Sequence, residues 1–547
     1  MSAPTRSPTG TSPGPHGTET LPAARVLVGR GEEQTGPAVP VVPPVCRLSA
    51  RPEVVEFGGR YGLTISTTTP HEATVEDLLF VRSVLDDAGI GYLLVRGNHA
   101  RPVLAVNWAD RRALRTALVE ACADQPFYAK AVGSGRAAVL IADAALSHTP
   151  AVRILRLFRP RLEPVSGLRY GAEGAVQVEL WAYTDEQIVA PAANALTRPV
   201  LARREAVPAV IERYGRRWPT LAGMFDRHPA DVPFPIDLVF SWVDGSDTGW
   251  QAQRARRMRN YVVGDGDDSP ARYRQINEVK YALRSVHMYA PWIRRIFVAT
   301  DSPPPAWLAD HPRVTVVRSE EFFADPSVLP THNSHAVESQ LHRIPGLAEH
   351  FLYANDDMFF GRAVGPQLFF TAGSVSKFIE SGIRIGLGRN CPRHSGFENA
   401  ARVNRGLLQQ RFGVTITRHL EHTPVPLRRS VMAEMQEQFP REFAATAASP
   451  FRAAQNISVT NSLYHYYALL TGRAVPDTTA KVRYVDTTTV AGLGALGPLL
   501  AKRNKDMFCL NDGSTPEVDV AVRTATVTEF LERYFPIPAP WEKGYPR

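Results

Sequence analysis

Residues 351–361 read FLYANDDMFFG, and this stretch decides how the rest of the chain is interpreted. Its first four residues are an apolar run typical of a buried β-strand, which ends at an amide followed by two carboxylates. Carboxylates at the end of an apolar strand are costly to desolvate unless a cation or hydrogen-bond donors compensate for their charge. Oxygen ligands of this kind suit Mg²⁺ or Mn²⁺. The alternative is an Asx-turn with solvated aspartates.

The segments around this stretch alternate between strands and helices. Apolar runs at 236–243, 296–299 and 314–317 predict further buried strands, and helical patterns are present at 276–288 and 334–342. Strands that alternate with helices form a mostly parallel sheet. We therefore predict an α/β fold, with a Rossmann-like catalytic domain and a helical C-terminal part. In such sheets ligands bind at the carboxyl ends of the strands.

The length of 547 residues is enough for two or three domains. Residues 1–45 are rich in Pro, Gly, Thr and Ser, which predicts a disordered tail. Residues 46–232 alternate between helical and strand patterns and predict a smaller accessory α/β or α+β domain. Its sequence does not indicate a function, and it could contact an acceptor, a membrane or another enzyme. Residues 233–547 form the predicted catalytic domain.

Composition limits the classes of partner. The chain has 62 basic and 54 acidic residues, a net charge of +8, which favours anionic partners such as nucleotides or sugar phosphates. No block of Lys and Arg is interleaved with aromatic residues, so we expect no nucleic-acid partner. Four widely spaced cysteines form neither a disulfide framework nor a zinc motif, which favours a reducing, cytoplasmic location. No apolar run is long enough to span a bilayer. Peripheral attachment to the inner membrane face stays open, and oligomeric state is not indicated.

Polar residues also follow a second apolar run. The strand at 236–243 ends at the turn Asp244-Gly245-Ser246-Asp247, whose glycine lets the backbone approach a ligand closely. A plain β-turn is the alternative. In the helix predicted at 276–288, Lys280 and Arg284 share one face, which is either solvated or directs donors at a diphosphate. Arg284 is the preferred phosphate contact, because a guanidinium matches two phosphate oxygens at once.

Two later segments carry related chemistry. Asn511-Asp512 follows the apolar run at 507–510, so Asp512 could join Asp357 in an octahedral Mg²⁺ site, unless it is a helix N-cap. His422 lies in a rigid His-Thr-Pro turn. Imidazole, with an unperturbed pKa of about 6.5, is a natural general base for a sugar hydroxyl. Single histidines are more often structural, and this chain has fifteen.

Four separated blocks resemble the Stealth family of sugar phosphotransferases. This family includes bacterial capsule-type hexose-1-phosphate transferases and the animal enzyme that adds N-acetylglucosamine-1-phosphate to lysosomal glycoproteins. The four blocks cover about 236–545, and the first is IDLVFSWVDGSDTGW from 236. The second comprises RYRQINEVKYALRSVHMYAPWIRRIFVAT from 272, THNSHAVESQLHRIPGL from 331 and FLYANDDMFFG from 351. The third is EHTPVPLRRSVMAEMQEQFPREF from 421 with SPFR from 449, and the fourth is MFCLNDG from 507 with FPIPAPWE from 535.

The resemblance implies a role for each matching residue. Glu338 matches a catalytic-site glutamate of the family, although a lone Glu on a helix is usually a surface residue. Arg452 matches an arginine suited to gripping a phosphoryl group, and His422 is the matching base, with Val425 in place of the family's second histidine. The implied nucleotide contacts are Asp244, Gly245, Asp247, Lys280, Arg284 and Asn333, the last of which could equally be an N-cap. The implied metal ligands are Asp356, Asp357 and Asp512.

The implied reaction is attack by a glycan hydroxyl on the β-phosphorus of a nucleotide-sugar, with UDP as the expected nucleotide. The product is a phosphodiester-linked sugar, and UMP leaves. His422, or else Glu338, would take the hydroxyl proton, while Arg452, Arg284 and the metal would neutralise charge. A glycosyltransferase that releases UDP is one alternative. A non-catalytic glycan-binding scaffold is another, and neither the hexose nor the acceptor is indicated.

Overall fold

The computed structural model describes residues 44–143, 152–258, 261, 264, 275–513 and 516–545. The tail predicted at 1–45 therefore lies almost entirely outside the described residues. The contacts between residues place Pro44–Arg547 in one compact unit. The predicted boundary between an accessory domain at 46–232 and a catalytic domain at 233–547 stays a prediction.

The first part of this unit is a mixed α/β structure. Its largest described sheet has eight strands in the order β12-β11-β10-β7-β5-β6, with β4 parallel to β10 and β3 antiparallel to β4. The elements are α1 (Pro44–Ser49), β1 (Val54–Phe57), β2 (Arg60–Thr64), α2 (Pro70–Asp87), β3 (Tyr92–Arg96), β4 (Pro102–Asn107), α3 (Arg111–Ala121), β5 (Tyr128–Ala131), β6 (Val139–Leu140), β7 (Ile154–Phe158), β8 (Arg161–Leu162), β9 (Arg169–Tyr170), β10 (Val176–Tyr183), β11 (Gln187–Val189), β12 (Val200–Ala202), β13 (Pro208–Arg213) and β14 (Arg216–Leu221).

The second part contains the parallel sheet that the alternation of strands and helices predicts. The order is β17-β16-β15-β18-β23, in which the first four strands are parallel and β23 runs antiparallel to β18. The elements are β15 (Ile236–Ser241), α4 (Thr248–Met258), α5 (Glu278–Tyr289), β16 (Ile296–Ala299), β17 (Val314–Val317), α6 (Ser319–Phe322), α7 (Ser334–Gln340), β18 (His350–Asn355), β19 (Met358–Phe360), β20 (Ser376–Phe378), β21 (Glu380–Arg384), α8 (Gly396–Phe412), β22 (Arg418–Leu420), β23 (Val425–Arg428), α9 (Arg429–Gln438), α10 (Pro440–Ala447), α11 (Tyr464–Leu470), β24 (Ala474–Pro476), β25 (Val482–Asp486), α12 (Val490–Lys502), β26 (Met507–Asn511) and α13 (Val520–Tyr534).

The two central strands are buried on both faces, which explains why they read as continuous apolar runs. Asp237 is the polar exception in β15, and it is fully buried. Its carboxylate accepts hydrogen bonds from Arg294 at 2.8 and 2.7 Å, and from the backbone N–H groups of Arg295 and Ala348. These bonds fix the amino end of the sheet. The polar residues of the motifs lie at the carboxyl end, where Ser241 of β15 pairs with Asn355 of β18.

A small second sheet, in the order β19-β26-β25, brings the C-terminal motif to the end of β18. Met358 pairs with Cys509, and the backbone N–H of Leu510 donates to the carbonyl of Asp357 at 3.0 Å. Gly361 directly follows β19 at a close approach of two backbone segments, because a Cβ there would lie 2.6 Å from the carbonyl oxygen of Lys505. The pairing therefore places the segment before Asp512 directly beside the Asn-Asp-Asp motif.

Candidate active site

Asn355, the last residue of β18, connects the strand ends to the candidate base. Its Oδ1 accepts from the hydroxyl of Tyr353 at 2.8 Å and from that of Ser241 at 3.3 Å. Two hydroxyl donors fix the orientation of the amide, because an NH₂ group cannot accept from them. The Nδ2 atom then faces Nε2 of His422, at 3.3 Å.

His422 lies between β22 and β23, with its two ring nitrogens in different surroundings. Since the Asn355 amide donates to Nε2, the proton of the neutral ring belongs on Nδ1. Nδ1 lies 3.0 Å from Sγ of Cys509 and 3.9 Å from a carboxylate oxygen of Asp357. The side chains of His422 and Asp357 are 26% and 21% exposed. The Nε2 lone pair is therefore occupied by the Asn355 amide, and a substrate hydroxyl would reach it in place of that contact, with the Asp357 carboxylate on the other side of the ring.

Glu338 and Arg452 form the other half of the site. Glu338, on α7, is buried and accepts a hydrogen bond from Oγ1 of Thr460 at 2.6 Å. Burial raises the pKa of Glu338, opposed by hydrogen bonds from Thr460, Ser334 and Tyr353 and by the charge of Arg452. The Arg452 guanidinium donates to Oγ of Ser334 at 2.9 Å. Arg452 and Glu338 are thus held together through the first turn of α7.

Gly396, the first residue of α8, lies against the stem of Arg452. A Cβ at this position would lie 2.7 Å from both Cβ and Cδ of the arginine. Only a residue without a side chain leaves room for this approach. The glycine thereby helps to set the direction in which the guanidinium points.

The structure brings the four sequence-predicted catalytic residues into one polar network. Tyr353 links its two halves, because its hydroxyl contacts both Glu338 and Asn355. From Asn355 the network continues to His422 and then to Asp357. Residues from α7, β18, the segment before β23 and the loop after α10 therefore meet at the carboxyl end of the parallel sheet.

The aspartates of the Asn-Asp-Asp motif form part of a carboxylate cluster. Burial raises the pKa of Asp356 well above its usual range, and the charges of Glu278, Asp357 and Asp512 raise it further. The charges of these carboxylates act on one another, and a divalent cation bound between them would lower their repulsion. Glu278, a buried residue at the start of α5, was not among the sequence-predicted ligands. Nothing in the local sequence distinguished it from the polar residues around it.

Asp512 is held from two sides. Its Oδ1 accepts from Oγ1 of Thr487 at 2.7 Å and lies 3.8 Å from Nη1 of the buried Arg523. The N-cap alternative for Asp512 is wrong, since α13 begins eight residues later and Asp519 caps it. A Cβ on the adjacent Gly513 would lie 2.5 Å from the Asp486 carboxylate, so a further acidic group is close.

One further residue, Cys509, joins the site. Its Sγ, a ring nitrogen of His422 and an Asp357 oxygen lie within 4.8 Å of one another and form a possible metal-binding group. Burial raises the pKa of the Cys509 thiol well above its usual range, and the charge of Asp357 adds to the shift. Cys509 was not among the site residues predicted from the sequence. Cys509 lies inside the apolar run 507–510, so the local sequence gives no signal for its place in the site.

The chemistry of the possible ligand atoms indicates which metal ion they would bind. Oxygens of Asp356, Asp357, Asp512 and Glu278 suit Mg²⁺ or Mn²⁺, whereas a thiolate and an imidazole suit softer ions such as Zn²⁺. A thiol with a raised pKa is a poor ligand, because metals bind the thiolate. The residues therefore fit a hard divalent ion better, and the predicted metal ligands stay a prediction.

The loop after β15 places the first group of predicted nucleotide contacts at the same end of the sheet. Asp244 accepts from the backbone N–H and the hydroxyl of Ser246, and Asp247 accepts from the N–H groups of Gly249 and Trp250. The side chain of Gln251 donates to the carbonyl of Gly245 at 2.7 Å. These bonds shape the loop, and the nucleotide role of Asp244, Gly245 and Asp247 stays a prediction.

Three other predicted nucleotide contacts are engaged within the protein. Arg284 donates to both carboxylate oxygens of Glu542 at 2.7 Å, and Lys280 lies 3.6 Å from the same carboxylate. The shared face predicted for this helix is confirmed, but it meets the C-terminal segment. Asn333 caps α7, and its Nδ2 donates to groups between Ser449 and Asn456. It thus holds the loop that carries Arg452, and a phosphate contact from these three residues stays a prediction.

Four models of conserved regions of one protein family match the sequence of this chain. Models of the Stealth protein conserved regions 1 to 4 match residues 234–262, 272–378, 421–469 and 498–547. The exopolysaccharide phosphotransferase CpsY of Mycobacterium tuberculosis is 58% identical over 496 residues, which cover 90% of this chain and 93% of that protein. The chain belongs to the Stealth family. This membership confirms the resemblance drawn from the four blocks.

Other Stealth relatives extend the match. An exopolysaccharide phosphotransferase of Nocardia farcinica is 54% identical over 86% of this chain and 88% of its own, and SCO6023 of Streptomyces coelicolor is 38% identical over 89% and 85%. These names confirm the interpretation as a transferase of phosphate groups. The solved galactosyltransferase LgtC covers 55% of this chain and 95% of its own, at 11% identity and a TM-score of 0.30, a likeness too weak to bear on function. Within the described residues, no helix has the length and apolar character needed to cross a bilayer.

Proposed function

We propose that the chain transfers a sugar-1-phosphate from a nucleotide-sugar to a hydroxyl of a glycan, making a phosphodiester and releasing a nucleoside monophosphate. The expected donor is a UDP-hexose or UDP-N-acetylhexosamine, and the expected setting is synthesis of a cell-surface or exopolysaccharide. The observation that carries the proposal is the single network that joins Arg452, Glu338, His422 and Asp357. The names of the relatives support the same chemistry.

Phosphoryl transfer needs positioning and charge neutralisation more than covalent chemistry from the protein. In the proposed step the acceptor oxygen forms a bond to the β-phosphorus, and the bond from that phosphorus to the bridging oxygen of the diphosphate breaks. The substrate hydroxyl displaces the Asn355 amide from Nε2 of His422, and Nε2 then takes the hydroxyl proton. The imidazolium formed lies 3.9 Å from the Asp357 carboxylate, which stabilises it.

The surroundings of Glu338 favour His422 as the base. Glu338 is buried, and its carboxylate already accepts from Thr460 with Ser334 and Tyr353 close by. A buried carboxylate that already accepts from the Thr460 hydroxyl is poorly placed to reach a substrate hydroxyl. We assign Glu338 a positioning role, in which it and Ser334 orient Arg452 toward the transferred phosphoryl group.

The carboxylate cluster supplies the metal-binding part of the proposal. Asp356, Asp357 and Asp512, with Glu278, would hold Mg²⁺ or Mn²⁺. A divalent ion bound there would neutralise charge on the diphosphate oxygens. Burial is the main cause of the raised pKa of Asp356, and the charges of Glu278, Asp357 and Asp512 add to it; a cation would offset this repulsion, which supports the assignment.

The test is the identity of the nucleotide product. Purified protein with Mg²⁺, a panel of UDP-sugars and a glycan acceptor should release UMP, resolved by chromatography. Release of UDP would favour a glycosyltransferase, which breaks the sugar–oxygen bond instead. No turnover with any donor, together with glycan binding, would favour the scaffold. Asp357→Asn is the matched control, because loss of the carboxylate should abolish UMP release if the site is responsible.

A further inference from the structure

A strongly basic segment borders the candidate active site. Residues 381–420 contain seven arginines and one glutamate, with no lysine and no aspartate. This excess of six positive charges compares with a net charge of +8 for all 547 residues. The segment includes most of β21, then α8 and β22, and we call it the arginine lip. Glu380 and Glu421 flank the segment, so it is a local stretch of positive charge between two acidic residues.

The arginine lip also exposes large apolar side chains. Leu387 is 88% exposed and Ile383 is 64% exposed, and Phe397 is exposed as well. Phe397 stacks on His419 of β22, which pairs with the strand that carries Ile383. Single exposed apolar residues need no explanation, but several on one basic segment indicate an interaction surface.

Arg402 and Arg418 of the lip lie near Glu398 and Glu380, whereas three other arginines are available to an external partner. Arg389 and Arg393 are exposed, and the described part of the chain provides no acidic partner for either. Arg384 is exposed and donates to the hydroxyl of Thr417, an uncharged group. An anion that approaches this surface would therefore not have to break an ion pair.

The arginine lip is adjacent to the proposed catalytic residues. The Asn390 side chain donates to the carbonyl of Ala454 at 2.6 Å, two residues from Arg452. Gly396 lies against the Arg452 stem. At its other end, β22 leads within two residues to His422. Whatever contacts the lip is therefore held near the site at which the acceptor reacts.

We propose that the arginine lip docks on an anionic lipid bilayer. Leu387 and Ile383 would enter the headgroup region, and the exposed arginines would contact lipid phosphates. Basic residues attract the chain to such a surface, and exposed aliphatic side chains add burial of apolar area. A soluble polyanionic glycan would use the arginines but leave Leu387 and Ile383 in water, so the lipid surface fits better. This role goes beyond the proposed reaction and does not depend on it.

The test is co-sedimentation of the full chain with vesicles of phosphatidylcholine, with and without phosphatidylglycerol. Binding should need the anionic lipid and should weaken as salt is added. Each arginine brought to an anionic surface contributes about fivefold in partitioning, so Arg389→Ala with Arg393→Ala should lower binding about 25-fold. Leu387→Asp with Ile383→Asp should also weaken it. The matched control is Val165→Asp, since Val165 is 92% exposed and lies outside the lip.

Several results would overturn the proposal. These are no sedimentation with anionic vesicles, equal binding to neutral and anionic vesicles, and lip variants that bind like the wild type or like Val165→Asp. Retention on an immobilised phosphate-bearing glycan without vesicle binding would assign the lip to a polyanionic acceptor instead. Thermal melting and release of nucleotide with a soluble acceptor should stay unchanged in the lip variants. Failure of the proposed reaction would leave the vesicle result intact, so the two failures are distinguishable.

Discussion

Replacement of His422 by glutamine is the most direct test of the proposed base. Glutamine keeps a polar side chain that can contact the Asn355 amide, but it cannot accept and hold a proton at neutral pH. The network around Tyr353 and Asn355 should therefore persist while proton transfer is lost. We expect the melting temperature to change little and the catalytic rate to fall sharply.

The size of the fall follows from the charge that develops on the ring. At 3.9 Å, an imidazolium and the Asp357 carboxylate attract each other by about 4 kcal/mol at an effective dielectric constant of about 20. Both side chains are partly exposed, and water reduces this value. General base catalysis usually contributes about 10²–10⁴-fold, or about 2.7–5.5 kcal/mol. We expect His422→Gln to lower kcat by about 10³-fold.

The assay measures nucleoside monophosphate release under saturating donor, using a donor that the wild type turns over. His311→Gln is the matched control, because His311 is also half-buried but lies before β17, outside the polar network. The control should retain wild-type turnover. If His422→Gln also retained it, His422 would not be the base, and the role would pass to Glu338.

Three further predictions test the site and the sheet. Gly396→Ala places a Cβ 2.7 Å from the Arg452 stem and should lower kcat/KM about 10²-fold in steady-state kinetics; unchanged kinetics would show that Gly396 does not set the direction of the Arg452 guanidinium. Asp237→Ala leaves Arg294, itself 43% exposed, and two backbone donors without their acceptor, so urea unfolding should show a loss of about 2–4 kcal/mol with normal activity of the folded fraction. Asp512→Asn should raise the Mg²⁺ concentration for half-maximal activity at least about tenfold after chelation, and an unchanged requirement would exclude it as a ligand.

Much of the catalytic fold follows from the sequence, because buried strands read as continuous apolar runs. The strands predicted at 296–299 and 314–317 have those bounds in the structure, and β18 extends the predicted run by one residue on each side. The position of the Asn-Asp-Asp motif at a strand end follows from the same pattern. These features depend only on local periodicity and on the rule that places ligands at strand ends.

The partners of long polar side chains do not follow from local sequence. Arg284 was expected to meet a diphosphate, but it pairs with Glu542, which is 258 residues away along the chain. The charge of Glu278 acts on Asp356 because α5 packs beside β19, and no local pattern specifies that packing. Cys509 lies between two apolar residues and reads as core. Tertiary packing determines the contacts of all three residues, and the periodicity of the sequence does not predict these contacts.

The contacts that build the site join distant parts of the chain. Asn355 and His422 are separated by 67 residues, Ser334 and Arg452 by 118, and Asp357 and Cys509 by 152. Each contact closes a long loop, which costs entropy before the contact forms. No short fragment can hold a partial site, and activity should return during refolding only when the whole sheet is assembled. Recovery of turnover is thus a sensitive reporter of complete folding in this enzyme.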